Sequence, residues 1–185
     1  KLFLAGKETT FISTSDAVQK GVAYLPRNRK ENAIVKDMTI LENASLASLA
    51  KYRKLCFIDR KRERRDFEKH VSDLHIKMES GDDLITNLSG GNQQKVVLSK
   101  WLNTEPKVLV LDNPTQGVDV GAKEEIYDLI RDIADKGVAV IMLGDTLDEC
   151  IGMSNRLLVM KDGIVTQEFD AGAHNKPEQV DIVRF

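Results

Sequence analysis

Short apolar runs alternate with amphipathic stretches along the C-terminal half of the chain. The runs at 108–111, 138–143 and 156–160 have few polar interruptions, which is typical of buried strands. The stretches between them, at 122–134 and 147–151, are predicted to be helices. Strands that alternate with helices predict a parallel sheet covered on both faces, so the fold class is α/β.

The first 100 residues are predicted to contain shorter elements and a helical section. Thr39 and Glu42 have the spacing of a capping box, which begins a helix. The dense basic run at 60–65 opens a second helix that we expect to continue to about Ile76. The remaining predictions are a hairpin around Gly6 (2–4 with 9–12), a helix at 13–20, a strand at 22–25, a polar loop at 27–37 and a hairpin arm at 164–169.

Composition narrows the class of protein. The chain has 185 residues, 30% charged and 42% hydrophobic, with a net charge of −2. This balance excludes a disordered charged tail and gives no global reason to expect nucleic acid or a membrane surface as partner. No apolar run approaches the roughly 20 residues of a spanning helix. The opening residues do not predict a signal peptide, and two cysteines fit a reducing cytosol.

A glycine-rich segment before a predicted helix is the sharpest local feature. Ser89 is placed to cap this helix, which we expect to run to about Leu102, and Gly90 and Gly91 allow the backbone to approach a ligand closely. The free amides at the positive end of the helix suit a terminal phosphate. An ordinary capped helix after a glycine-rich loop remains the alternative. The segment reads Leu88, Ser89, Gly90, Gly91, Asn92 and Gln93.

A carboxylate follows the apolar strand at 108–111. Asp112 would lie at the C-terminal edge of a parallel sheet, where ligands of such folds bind. A carboxylate there can hold Mg²⁺, usually through water. Alone, a strand that ends in Asp is mostly structural, but here it follows the glycine-rich segment and precedes the polar stretch 115–119.

At this point the sequence resembles the ATP-binding cassette (ABC) ATPases. The segment 88–93 is similar to their signature loop, 108–112 to the Walker B strand and 118–119 to the D-loop. The amino-acid sequence at 92–95 and 117–123 resembles that of the second ATPase half of bacterial sugar importers of the ribose, galactose and xylose type. The resemblance implies a partial P-loop NTPase fold with a mostly parallel sheet. It further implies that residues 1–185 form one incomplete ABC ATPase domain, with an inserted helical (signature) subdomain at about 38–90.

The sequence departs from the family pattern at several positions. No GxxxxGK[ST] P-loop is present, so by this resemblance we expect the chain to be truncated at its N-terminus, with apolar edges of 108–111 exposed where the P-loop strand would lie. Asn113 occupies the position of the family's catalytic glutamate, and Asp145 occupies that of its switch histidine. Arg27 replaces a Gln or acidic residue that would reach metal and water. The resemblance therefore implies that this half's own nucleotide site is degenerate.

The resemblance also implies ligands and partners. ATP and Mg²⁺ are the expected cofactors. Asp112 is the expected magnesium residue, and the nucleotide-binding residues are Arg27, Asp119 and the segment 88–93. The halves of this family pack head to tail, so Ser89, Gly90 and Gly91 would serve the site of a partner half. That partner is the first half of the same polypeptide or a homodimer mate.

We further expect a transmembrane permease and, indirectly, a periplasmic sugar-binding protein as partners. The expected location is cytoplasmic, peripheral on the inner face of the bacterial plasma membrane. Three alternatives stay open: a non-catalytic docking module, a nucleoside importer, and an ABC protein of translation or DNA repair. The basic run at 60–65 is the only support for the last, and its interleaved acids without aromatic partners favour a solvated helix over nucleic-acid binding.

Overall fold

The structure is a computed structural model that describes residues 1–172 and 174–184. Helices and strands alternate along these residues, and 3₁₀ turns occupy Leu46–Tyr52 and Ile85–Asn87. The helices are α1 (Thr14–Gln19), α2 (Arg29–Asn32), α3 (Ile40–Ser45), α4 (Arg60–Asp73), α5 (Gly90–Leu102), α6 (Val120–Asp135), α7 (Leu147–Met153) and α8 (Gln179–Val183). The strands are β1 (Leu2–Leu4), β2 (Lys7–Thr9), β3 (Val22–Leu25), β4 (Arg53–Lys54), β5 (Phe57–Ile58), β6 (Val108–Asp112), β7 (Ala139–Leu143), β8 (Arg156–Lys161) and β9 (Ile164–Asp170).

A parallel sheet of β3, β6 and β7 forms the centre of the fold, as the apolar runs predict. Strand β6 lies in the middle, with Val108 opposite Val22 on one side and Ala139 on the other. The remaining strands form the antiparallel hairpins β1–β2, β4–β5 and β8–β9. Because all three central strands are parallel, their C-terminal ends meet at one edge, where Asp112 lies.

The prediction that apolar edges of 108–111 are exposed is wrong. Strand β6 is hydrogen-bonded along both edges, and its Leu109 and Leu111 are fully buried. The open edges belong instead to β3 and β7, each of which pairs on one side only among the described strands. On β7, Ile141 and Leu143 lie on the same face of the strand and are exposed by 55% and 51%.

One hydrophobic cluster joins the sheet to the helices around it. Leu25, Leu109 and Leu111 from the sheet share this core with apolar side chains of α3, α4, α5 and α6. Helix α5 packs against both α3 and β3, so the helix that follows Ser89 connects the helical section to the sheet. A second, smaller cluster joins the β8–β9 hairpin to α7 and α8.

Local sequence signals give several helix starts correctly. The capping box is present: Thr39 Oγ1 accepts from the Glu42 amide at 3.2 Å, and the Glu42 carboxylate accepts from the Thr39 amide at 2.9 Å. Helix α4 ends at Asp73 rather than near Ile76, because His75 turns into the left-handed region at φ 50°. In the described part of the chain, no helix combines the length and apolar character needed to cross a bilayer.

Candidate functional site

The N-terminus of α5 presents the predicted signature segment on the surface. Ser89 is the exposed N-cap residue, and its Oγ accepts from the Asn92 backbone amide at 3.4 Å and from Asn92 Nδ2 at 3.0 Å. The amides of the first helical turn have no acceptor within the helix. Since Ser89 Oγ takes the Asn92 amide, the Gly90 and Gly91 amides are left as donors for an anion outside the chain, supported by the partial positive charge of the helix end.

The two glycines of this segment are required by packing inside the chain. A Cβ on Gly90 would lie 2.7 Å from Arg29 Nη2 and 3.1 Å from the Gly117 carbonyl oxygen. A Cβ on Gly91 would lie 2.8 Å from Ala122 Cβ on α6. These distances are below normal contact, so both positions exclude a side chain even without a ligand. The expected close approach of these glycines to a nucleotide stays a prediction.

The amide side chains of the segment are engaged within the chain. Asn92 Oδ1 accepts from the Lys77 amide at 2.8 Å. Gln93 Nε2 donates to the carbonyls of Leu88 at 3.1 Å and Ile85 at 3.3 Å. The predicted nucleotide-binding residues Leu88, Asn92 and Gln93 therefore brace the loop before α5, and Ser89 is the exposed residue of the segment.

Arg29 is a residue of this region that the sequence reasoning missed. It is 6% exposed, and its Nη1 and Nη2 donate to the carbonyls of Gln116 at 2.5 Å and Gly117 at 2.9 Å. Burial lowers the pKa of its guanidinium, which nevertheless stays charged at neutral pH. Arg29 thus ties the segment after β3 to the loop after β6, directly beneath Gly90. Its position in the run 26–30 was visible in the sequence, but its burial was not.

The predicted D-loop residue Asp119 caps α6. Its side chain accepts from the Ala122 amide at 3.1 Å, and Asp119 is exposed. An ion pair also joins α5 to α6: the buried Lys95 on α5 donates to Glu125 Oε2 on α6 at 2.7 Å. Lys95 donates as well to the His75 carbonyl at 3.1 Å. The starts of α5 and α6, which carry the signature segment and Asp119, are therefore held together.

Three residues predicted for the chain's own site lie together at the C-terminal edge of the sheet. Asn113 Nδ2 donates to Asp145 Oδ1 at 2.7 Å, and Arg27 Nη2 donates to the same oxygen at 3.2 Å. Asn113 is buried and has φ 47°, and its Oδ1 has no partner among the described residues. A carboxamide can orient a water molecule but cannot take its proton. The Asp145 carboxylate is already neutralised by the Arg27 guanidinium.

Asp112 ends β6 beside this group. Its Oδ2 accepts from the Tyr24 hydroxyl at 3.2 Å, and burial together with the Asp112 carboxylate raises the pKa of Tyr24. Within the part of the chain that the structure describes, no three His, Cys, Asp or Glu side chains form a metal-binding group. A lone carboxylate fits Mg²⁺ if the ion takes its other ligands from phosphates and water, which is how Mg²⁺ commonly binds beside nucleotides.

Glu149 on α7 is a second residue that the sequence reasoning missed. Its Oε1 accepts from the hydroxyls of Thr115 at 2.9 Å and Tyr127 at 2.8 Å, and its Oε2 accepts from the Asp145 amide at 3.0 Å. Burial alone raises the pKa of Glu149, but these hydrogen bonds outweigh burial and hold the pKa below its ordinary value. Glu149 therefore fixes the backbone of Asp145 against the loop that follows β6.

The fold is the one found in ATP-binding cassettes. The structure superposes on the ATP-binding cassette MJ1267 in its ADP conformation with a TM-score of 0.75 at 22% identity, over 97% of this chain and 74% of that one. For the post-hydrolysis dimer of the cassette MJ0796 bound to ADP and Pi, the TM-score is 0.73 at 21% identity, over 91% and 72% of the two chains. At these identities the likeness establishes the fold, which is the ABC ATPase form of the P-loop NTPase fold.

The sequence comparisons identify the family. The family described as ABC transporter matches residues 1–116, which is more than half of the chain. The chain belongs to this family, as an ATPase domain.

Its relatives include proteins named for sugar import. The ribose import ATP-binding protein RbsA of Bacillus licheniformis is 46% identical over 90% of this chain and 34% of that protein. The xylose import ATP-binding protein XylG of Thermoanaerobacter pseudethanolicus is 44% identical over 91% and 34% of the two proteins. The chain spans about a third of the length of these relatives.

Proposed function

We propose that the chain is the second ATPase half of a bacterial sugar importer and supplies its signature segment to ATP held by a partner half. The observation that carries this proposal is the exposed Ser89 at the start of α5, next to the Gly90 and Gly91 amides, which have no acceptor among the described residues. The 40–49% identity to import proteins for ribose and xylose supports the solute class.

The contribution of this surface to hydrolysis would be electrostatic. Charge accumulates on the terminal phosphate oxygens as its bond to the leaving group breaks, and donors already aimed at that position stabilise it. Lys95 holds α5 against α6, and Arg29 fixes the loop after β6 beneath Gly90, so the donors would not need to reorganise. The partner half is the first half of the same polypeptide or a homodimer mate.

The chain's own site is proposed to be degenerate. Asn113 has no proton-accepting group, and Asp145 is occupied by Asn113 and Arg27. Asp112 would hold Mg²⁺ there, and the ion would neutralise phosphate charge when bound. This half would therefore hold or release nucleotide without hydrolysing it.

The remaining parts of the proposal follow the family layout. Residues 1–185 would form one incomplete cassette, with the section at about 38–90 as its signature subdomain; the packing of α3 on α4 and on Leu46–Tyr52, all within this section, supports this division. A permease in the membrane and a periplasmic sugar-binding protein would complete the importer, with this chain peripheral on the cytoplasmic face.

A transport assay tests the proposal. The tandem protein and its permease are placed in proteoliposomes, and ATP-driven uptake of ribose, xylose, galactose and a nucleoside is compared. We expect uptake of a sugar, and Ser89→Arg should reduce it at least about 100-fold, near 2.7 kcal/mol. The matched control is Ser13→Arg, because Ser13 is the exposed cap of α1 and accepts from the Asp16 amide at 3.1 Å. Equal uptake by the two variants would refute the assigned role of the signature segment.

A second candidate is a non-catalytic docking module, favoured because the Asp145 carboxylate is paired with Arg27 and accepts a hydrogen bond from Asn113. The same assay separates the two. A docking module would tolerate Ser89→Arg while still requiring the chain to be present.

A further inference from the structure

The β4–β5 hairpin carries two large apolar side chains in solvent. Leu55, in its turn, is 91% exposed, and Phe57, at the start of β5, is 79% exposed. Leu55 adopts φ 55°, a left-handed conformation that leucine disfavours and glycine adopts freely. Neither side chain contributes to the two hydrophobic clusters of the described residues. Packing within the described residues therefore does not explain why positions 55 and 57 are apolar.

The hairpin lies in the most basic part of the chain. Residues 51–65 contain eight basic and two acidic side chains, a net charge of +6, in a chain whose net charge is −2. Several of the basic side chains are paired, such as Arg60 with Glu63 and Arg64 with Asp82. The basic side chains of the hairpin itself, in contrast, are not paired: Arg53 and Lys54 are exposed and have no ion-pair partner in residues 1–172 and 174–184.

The base of the hairpin is firmly attached. Tyr52 is fully buried just before β4, and its hydroxyl donates to Asn103 Oδ1 at 2.8 Å, at the end of α5. The Asp59 amide donates to the Tyr52 carbonyl at 2.8 Å and closes the hairpin at the start of α4. A rigid base therefore holds a short tip of two apolar and two cationic side chains away from the core.

We propose that this tip, residues 53–57, binds the surface of an anionic lipid bilayer. Apolar side chains enter the boundary between headgroups and acyl chains, while adjacent Arg and Lys side chains contact lipid phosphates. A specific protein partner needs a footprint of about 800 Å², and a hairpin with two residues in each strand is too small and too convex to supply it alone. Fluid lipids, in contrast, close around a convex tip. This surface is separate from the start of α5 and goes beyond the proposed ATPase function.

Vesicle flotation of the 185-residue chain tests the proposal. We expect it to float with vesicles of phosphatidylcholine and phosphatidylserine and to bind vesicles of phosphatidylcholine alone much more weakly. Binding should fall in about 1 M salt, where charge interactions are screened beyond about 3 Å.

Two paired variants separate the contributions. Leu55→Ser with Phe57→Ser should weaken partitioning at least about tenfold, because the inserted apolar surface is lost. Arg53→Gln with Lys54→Gln should weaken it about 30-fold on anionic vesicles, from two cationic contacts. The matched control is Ile164→Ser with Val165→Ser, a pair of apolar side chains exposed on β9. Thermal melting of each variant by circular dichroism verifies that it is folded.

The outcomes decide the proposal in either direction. Loss of binding in both tip variants, with the control unchanged, supports it. Equal binding of wild type and tip variants overturns it, as does equal loss in the β9 control. Binding only to vesicles that contain the permease also overturns it, because the tip would then be a protein contact.

Discussion

The buried Arg29 permits a prediction whose magnitude can be worked out from the structure. Replacing Arg29 with Met removes two charged hydrogen bonds, each contributing about 1.5–3 kcal/mol, and leaves the carbonyls of Gln116 and Gly117 without their donors. Removal of a buried charge offsets part of this loss, because burying the guanidinium is itself unfavourable. We expect a net destabilisation of about 2–4 kcal/mol. Arg29→Lys should lie between wild type and Arg29→Met, since an ammonium cannot reach both carbonyls in the same fork geometry.

Two measurements check this expectation. Urea unfolding gives the loss of stability, and amide hydrogen exchange should show faster exchange at 115–119 and in the first turn of α5, where Arg29 lies beneath Gly90. The matched control is Lys30→Met. Lys30 is the next residue of α2 and its side chain is exposed, so this change should alter stability by less than about 0.5 kcal/mol. If Arg29→Met and Lys30→Met behave alike in both measurements, the reasoning that Arg29 fixes these loops is refuted.

Two further stability predictions concern buried positions. Gly91→Ala should destabilise the chain by about 1–3 kcal/mol in urea unfolding, because its Cβ would press on Ala122; Gly121→Ala, whose Cβ would meet nothing closer than 3.9 Å, should be neutral or stabilising. Lys100 donates to the Ala33 carbonyl at 2.6 Å, and burial lowers the pKa of Lys100 to about 8. The unfolded chain then binds more protons above that pH, so unfolding free energy should rise between about pH 8 and 10.5. A pH series in which Lys100→Met shows the same rise as wild type would contradict this assignment.

Sequence patterns predicted the central elements well because local chemistry determines them. The apolar runs of β3, β6 and β7 and the capping box at Thr39 depend on residues close together in the chain. The order of strands across the sheet does not: nothing in the run 108–111 indicates that β6 is central and that β3 and β7 are the edge strands. Short elements such as α2 and β4–β5 were also missed, since two to four residues are too few to show a periodic pattern.

In the candidate site, too, some residues could be predicted from the sequence and others depend on tertiary packing. Asn113, Asp145 and Arg27 were predicted as neighbours through the family resemblance, and the structure brings them within hydrogen-bonding distance. Arg29 and Glu149 were missed because an arginine in a polar loop and a glutamate in a helix are indistinguishable by sequence from solvated charges. Only the packing of distant segments places them beneath the glycine-rich loop and behind Asp145.

The assignment of the signature segment to a partner's site is tested most directly by ATP turnover of the tandem protein with its permease. Two variants are set beside wild type: Ser89→Arg at the exposed start of α5 and Asn113→Ala in the chain's own site. We expect kcat to fall at least about 100-fold for Ser89→Arg, near 2.7 kcal/mol, and to stay within a few-fold of wild type for Asn113→Ala. A silent Ser89→Arg together with an inactive Asn113→Ala would contradict the division of labour between the two sites.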